Sequence, residues 1–135
     1  SQGAETTEAG RGLPWTERLG PNVGNGALSM TGAGWLKAGT TSGRTVPQRA
    51  QDLADVNQVQ RFIVMAGVND LKDPSLSTAQ ILTGVDQLEA LAAARGIQVT
   101  YVGVVPFPQG ATIANRNAAR LALNAALAAL SLQRR

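Results

Sequence analysis

The sequence predicts an α/β fold built on a parallel sheet, and three observations carry that prediction. Phe62–Ala66 is an apolar run with no polar alternation, which is the pattern of a strand buried on both faces, and Ile97–Val105 reads as a second buried strand. The segments around them place apolar residues at three- and four-residue spacing, which is the pattern of helices. Each run then stops at a turn signal, Gly67 after the first and Pro106-Phe-Pro108 after the second. The resulting order is helix, strand, helix, strand, helix, a piece of a doubly wound sheet.

The elements follow along the chain. Residues 1–12 are polar and Gly-rich and read as a loop. Pro14-Trp-Thr-Glu-Arg-Leu19 reads as a short helix start, with Pro near the first turn. Gly20 to Gly43 is dense in small residues and holds at most one short strand, near Ala27–Met30. Val46, Ala50, Leu53 and Ala54 keep helical spacing behind Pro47, so Thr45 to Asn57 reads as a helix. After the first apolar run, Ser75 or Ser77 caps a helix that carries Ile81, Val85, Leu88, Leu91 and Ala92 to about Ala94. Arg95-Gly96 is its stop signal. The second run follows, and then a long Ala/Leu helix from Thr112 to about Leu132 with Leu121, Leu123, Leu127 and Leu130. No internal repeat or interdomain linker interrupts this order, so the 135 residues form one domain or part of one.

Composition excludes whole classes of chemistry. The chain has no cysteine and no histidine, so disulfides, thiolate metal sites, cysteine nucleophiles and any imidazole base are absent from it. Aromatic residues make up only 4%, so the core must come from Ala, Leu, Val and Ile. No run reaches the roughly 18 apolar residues of a membrane span, and the first residues show no leader pattern. A mature secreted chain would also lack a leader, which leaves the compartment open. Net charge is +3. No acidic residue follows Glu89, whereas Arg95, Arg116, Arg120, Arg134 and Arg135 do. Such a basic last third is compatible with an anionic partner. The arginines are dispersed and no aromatic platform lies among them, which argues against nucleic acid and for solvated helix faces.

The residues that bear on chemistry gather where the first strand ends, in Gly67-Val-Asn69-Asp70. The carboxyl ends of strands in open α/β sheets are where ligands bind. Asn-Asp after a strand is also a common turn or helix-cap pair, and Asp70 reads as a structural acceptor more than as a base. Ser29 and Ser42 lack the Gly-x-Ser-x-Gly context of an elbow nucleophile.

Gly67-Val-Asn69-Asp70 after an apolar strand resembles one block of the SGNH (GDSL-type) hydrolases, and other segments stand in the family's order. Pro14-Trp15 resembles the start of the first helix, and Thr31-Gly32-Ala-Gly34-Trp35 resembles the glycine block. Val102-Gly-Val-Val-Pro106-x-Pro108 resembles the following strand and turn, and Arg116, Arg120 and Asn124 sit as in the helix after it. The resemblance implies a three-layer, flavodoxin-like fold and a serine esterase acting on a small ester or acylated substrate, without metal or organic cofactor. It implies that the Asn69 side chain and the Gly32 backbone N–H hold the oxyanion, with Gly34 as second choice for the backbone donor. Trp15 and Trp35 read as packing residues, and Arg116 and Arg120 as surface or loop-anchoring groups. The family's Gly-Asp-Ser and Asp-x-x-His blocks are not among these residues. Ser1 matches the residue two after the nucleophile. The expectation is therefore an internal portion of a larger protein, or a chain completed by another chain or segment. A catalytically inactive binding or structural module on the same fold is the alternative.

Overall fold

The computed structural model describes residues 32–110 and 112–133. The expected short helix at Pro14–Leu19 and strand near Ala27–Met30 lie outside the described residues, as do Trp15 and Ser29. Helix α1 (Val46–Val56) starts where the spacing placed it, on a capping box in which Thr45 and Gln48 exchange side-chain and backbone hydrogen bonds, with Pro47 in the first turn. Strand β1 (Arg61–Met65) leads through Gly67 into a single-turn helix, α2 (Val68–Leu71). Helix α3 (Thr78–Arg95) begins on a second capping box, Ser77 with Gln80, and stops at Gly96 in the left-handed conformation (φ 66°). Strand β2 (Gln98–Val102) and helix α4 (Asn117–Gln133) complete the order, with one 3₁₀ turn, Ala114–Arg116, before α4.

β1 and β2 pair in parallel, with Phe62 opposite Val99 and Met65 opposite Val102. The chain is therefore an α/β protein with helices around a two-stranded parallel sheet. Phe62 and Val99 are buried in one cluster with Ala50 of α1, Ile81, Val85 and Leu88 of α3, and Leu123 and Leu127 of α4. All three long helices thus contribute to the core behind one face of the sheet. Each fully buried leucine or isoleucine stabilises the fold by about 1.5–3 kcal/mol.

Two expectations are corrected. The strands are not buried on both faces: Arg61, Ile63, Gln98 and Thr100 are exposed, Ile63 by 38%. Arg61, Gln98 and Thr100 make that face largely polar, and in β2 Gln98 and Thr100 alternate with buried Val99 and half-buried Tyr101. The second strand also ends at Val102 rather than Val105. The Asn124 side chain accepts from Val104 N at 2.9 Å and donates to Val104 O at 2.9 Å, so that peptide pairs with a helix side chain instead of a strand. Gly103 makes room for it, since a Cβ there would lie 3.3 Å from Asn124 Oδ1.

Candidate functional site

Gly67 has φ 123°, a conformation open to glycine, and a Cβ there would lie 2.9 Å from Leu123 Cδ2. This residue turns the chain sharply out of β1, so Asn69 and Asp70 sit in the turn of α2 rather than in an extended loop. Neither caps that helix. Both instead reach across to the segment Ala33–Lys37, more than thirty residues earlier.

Asp70 is fully buried, and three backbone N–H groups surround its carboxylate. Trp35 N donates to Oδ2 at 2.7 Å, and Leu36 N and Lys37 N donate to Oδ1 at 2.9 and 3.2 Å. Such a nest supplies the polarity that burial of a carboxylate demands. It also requires Gly34, because a Cβ at that position would stand 2.3 Å from Asp70 Oδ2. Gly34 N donates to Lys37 O at 2.9 Å, which closes the loop on itself and commits the second-choice backbone donor elsewhere. The Lys37 ammonium pairs with Asp73 on the far side of α2. Lys37, together with Ser75, holds the Asp73 carboxyl well below the usual carboxylate range.

Asn69 Nδ2 donates to Ala33 O at 2.7 Å. A carbonyl only accepts, so the amide nitrogen is the atom that faces it, and its second hydrogen has no partner among the described residues. Gly32 immediately precedes Ala33 and has φ 82°, with room for a Cβ only 3.2 Å from Thr40 Cγ2. The structure thus brings the glycine segment and the Asn-Asp turn together, while Ala33 rather than Gly32 makes the direct contact with Asn69.

Asn69 and Ala33 line a cavity of about 260 Å³ at the carboxyl ends of β1 and β2. Its apolar walls are Met65, Val68, Val102, Val104 and Val105, and backbone at Gly67 and Gly103 contributes to the lining. Among the described residues on its lining, Asn69 and Lys72 carry the polar side chains. Behind Val104 the loop is pinned from α4. Arg120 Nη1 donates to Val104 O at 3.2 Å, and Asn117 exchanges hydrogen bonds with the backbone of Phe107. Arg116 donates to Leu71 O at 2.9 Å and Leu76 O at 2.6 Å, fixing the exit of α2. Trp35 is core packing, 1% exposed and tilted against Tyr101 with 5.9 Å between ring centroids. Ser42 accepts from Arg44 N in a local turn. Among the described residues no acidic cluster could hold a metal ion, and no helix is long and apolar enough to cross a membrane.

Sequence reasoning did not single out Lys72, nor the clamp of Asn117, Arg120 and Asn124 as a unit. The signals were present. Lys72 follows Asn69 at i+3, and 117, 120 and 124 are polar positions at helical spacing within an Ala/Leu helix. No family model, no curated protein and no solved structure matches this chain.

Proposed function

We propose that this chain is the oxyanion-binding half of an SGNH-type serine ester hydrolase with a flavodoxin-like sheet. The observation that carries this reading is the Asn69 amide. It stands where β1 ends, one N–H is fixed on Ala33 O, and the other, without a partner among the described residues, lies on the wall of a largely apolar cavity. A donor held in place before reaction needs no reorganisation as charge develops, which is what oxyanion stabilisation requires. The Gly32 backbone N–H is the second donor of the proposal.

In the proposed reaction a serine Oγ attacks the ester carbonyl carbon, and a histidine takes its proton. The carbonyl oxygen becomes the oxyanion bound by Asn69 and Gly32. Collapse expels the alcohol, which takes the proton from the imidazolium. Water then attacks the acyl-enzyme with the same histidine as base and releases the acid and the free serine. Serine and histidine come from outside these 135 residues in this scheme.

The test is Asn69→Ala in the full-length protein, assayed on p-nitrophenyl acetate. Loss of one oxyanion donor lowers kcat by roughly 10²–10³-fold. Unchanged turnover would overturn the assignment. A second reading, a non-catalytic binding module, is favoured by one observation: among the described residues no Ser, Asp or Glu side chain lines the cavity. Under that reading wild type and variant are equally inactive on every ester, while small ligands still bind.

A further inference from the structure

We propose that the ligand of this cavity is a short apolar molecule bearing a carboxylate, which Lys72 recognises; as a statement about substrate class it rests on the hydrolase reading, but as a statement about binding it does not. The first ground is the lining. The walls are apolar side chains, and the two polar side chains among the described residues, Asn69 and Lys72, are both hydrogen-bond donors. Among the described residues no carboxylate lies on the lining to repel an anion or to neutralise the ammonium.

The second ground is the fate of the acids nearby. Asp70, two residues before Lys72, is buried with its oxygens occupied by three backbone N–H groups. Asp73, the next residue, is engaged by Lys37 and by Ser75, whose N and Oγ both donate to Oδ1. Lys72 makes no ion pair among the described residues and is exposed beside the cavity.

The third ground is the field behind the wall. Arg120 is 9% exposed, and among the described residues its guanidinium donates to neutral acceptors, Val104 O and Asn117 Oδ1. Arg116 likewise donates to two carbonyls. Cations at one end of a sheet raise the local concentration of anions. Lys72 stands one helical turn from Asn69, on the same side of α2. A carbonyl oxygen at Asn69 and a carboxylate at Lys72 therefore belong to one molecule with a few carbons between them. Hydrolysis at this site would act on a half-ester of a short dicarboxylic acid, or on an ester whose alcohol carries the carboxylate.

Binding of hexanoate and of its neutral isostere hexanamide to the full-length protein, followed by amide chemical shifts at low salt, tests the recognition step. Hexanoate is expected to bind about fivefold more tightly, the scale of one partly screened charge pair. The shifts should fall on Gly67, Gly103 and the Asn69 side chain. Lys72→Met should abolish the margin and Lys72→Glu invert it, with hexanamide binding retained in both. Equal binding of the two ligands, binding of neither, or a margin that survives Lys72→Glu overturns the proposal. The substrate arm compares monoethyl adipate with ethyl hexanoate for a charge on the acyl side, and 4-acetoxybenzoate with phenyl acetate for a charge on the alcohol side. Preference for either charged ester, lost in Lys72→Met, is expected. Hydrolysis without such preference overturns the substrate class and leaves the hydrolase reading standing. Hexanoate preference with no hydrolysis of any ester overturns the hydrolase reading alone.

Discussion

A carboxylate can be buried only where donors replace its water, and Asp70 shows how narrow that requirement is. Its oxygens take three N–H groups from consecutive residues, and the approach is open only because residue 34 lacks a side chain. Asp70→Asn presents an amide N–H₂ to N–H donors and leaves at least one of them unpaired. The expected loss is about 2–4 kcal/mol of unfolding free energy in a denaturant titration, each orphaned buried group costing about 1–3 kcal/mol. Gly34→Ala should cost a similar amount through the clash with Oδ2. Because both changes break one contact, their effects should not add: Gly34→Ala combined with Asp70→Ala is expected to lose clearly less than the sum of the single losses. The Asn-Asp pair was legible as a strand-end feature. Its partners were not, since nothing local in Ala33–Lys37 marks the three N–H groups that converge on residue 70.

At the scale of elements, starts and stops were written locally. The capping boxes at Thr45 and Ser77 and the left-handed Gly96 fix α1 and α3 to within a residue or two of their sequence signals. The end of β2 was not written locally. Val104 and Val105 carry strand-forming side chains, yet Asn124 on α4 takes both polar groups of the Val104 backbone. Asn124→Ala is therefore expected to cost about 1–3 kcal/mol in chemical denaturation, by orphaning the Val104 N–H, while Val104 O keeps its bond from Arg120. It should also speed hydrogen exchange at Val104 by more than at Val99, which stays in the strand ladder. A change confined to helix stability, with equal protection at both amides, would contradict this account. Arg116 and Arg120 read from the sequence as surface or loop-anchoring groups, and the contacts of Arg116 to Leu71 and Leu76 and of Arg120 to Val104 give that anchoring its targets.

At the scale of the molecule, two ion pairs among the described residues join elements distant in sequence. Lys37 pairs with Asp73 between the glycine loop and the exit of α2, and Arg95 pairs with Asp55 at 2.5 Å between α3 and α1. Arg95, with Gln51, holds the Asp55 carboxyl below its ordinary value, and Lys37, with Ser75, does the same for Asp73. A carboxyl whose pKa falls on folding adds stability above its unfolded value, 3.8, and loses it as pH drops through the folded value. Melting temperature should therefore fall as pH decreases from about 4 towards 2. The double variant Asp55→Asn, Asp73→Asn should melt lower at neutral pH and show a flatter acid limb than the parent. An identical acid limb in parent and variant would remove these pairs from the account. The sheet presents a second feature at this scale, a face that carries exposed Arg61, Ile63, Gln98 and Thr100.

By itself the sequence determined the α/β class, the three long helices, the two strands and their parallel sense, because periodicity, caps and glycine stops act over a few residues. It also determined that no imidazole or thiol chemistry belongs to these residues. Only the tertiary structure decided which face of the sheet is covered, where β2 ends, and that Asn69 and Asp70 serve the loop at Ala33–Lys37. It likewise set Lys72 beside Asn69 on a cavity with no acid among the described residues of its lining. These properties depend on contacts between residues twenty to forty positions apart. Such contacts form only when packing brings distant backbone groups within hydrogen-bonding reach, and no short-range pattern records which ones will meet.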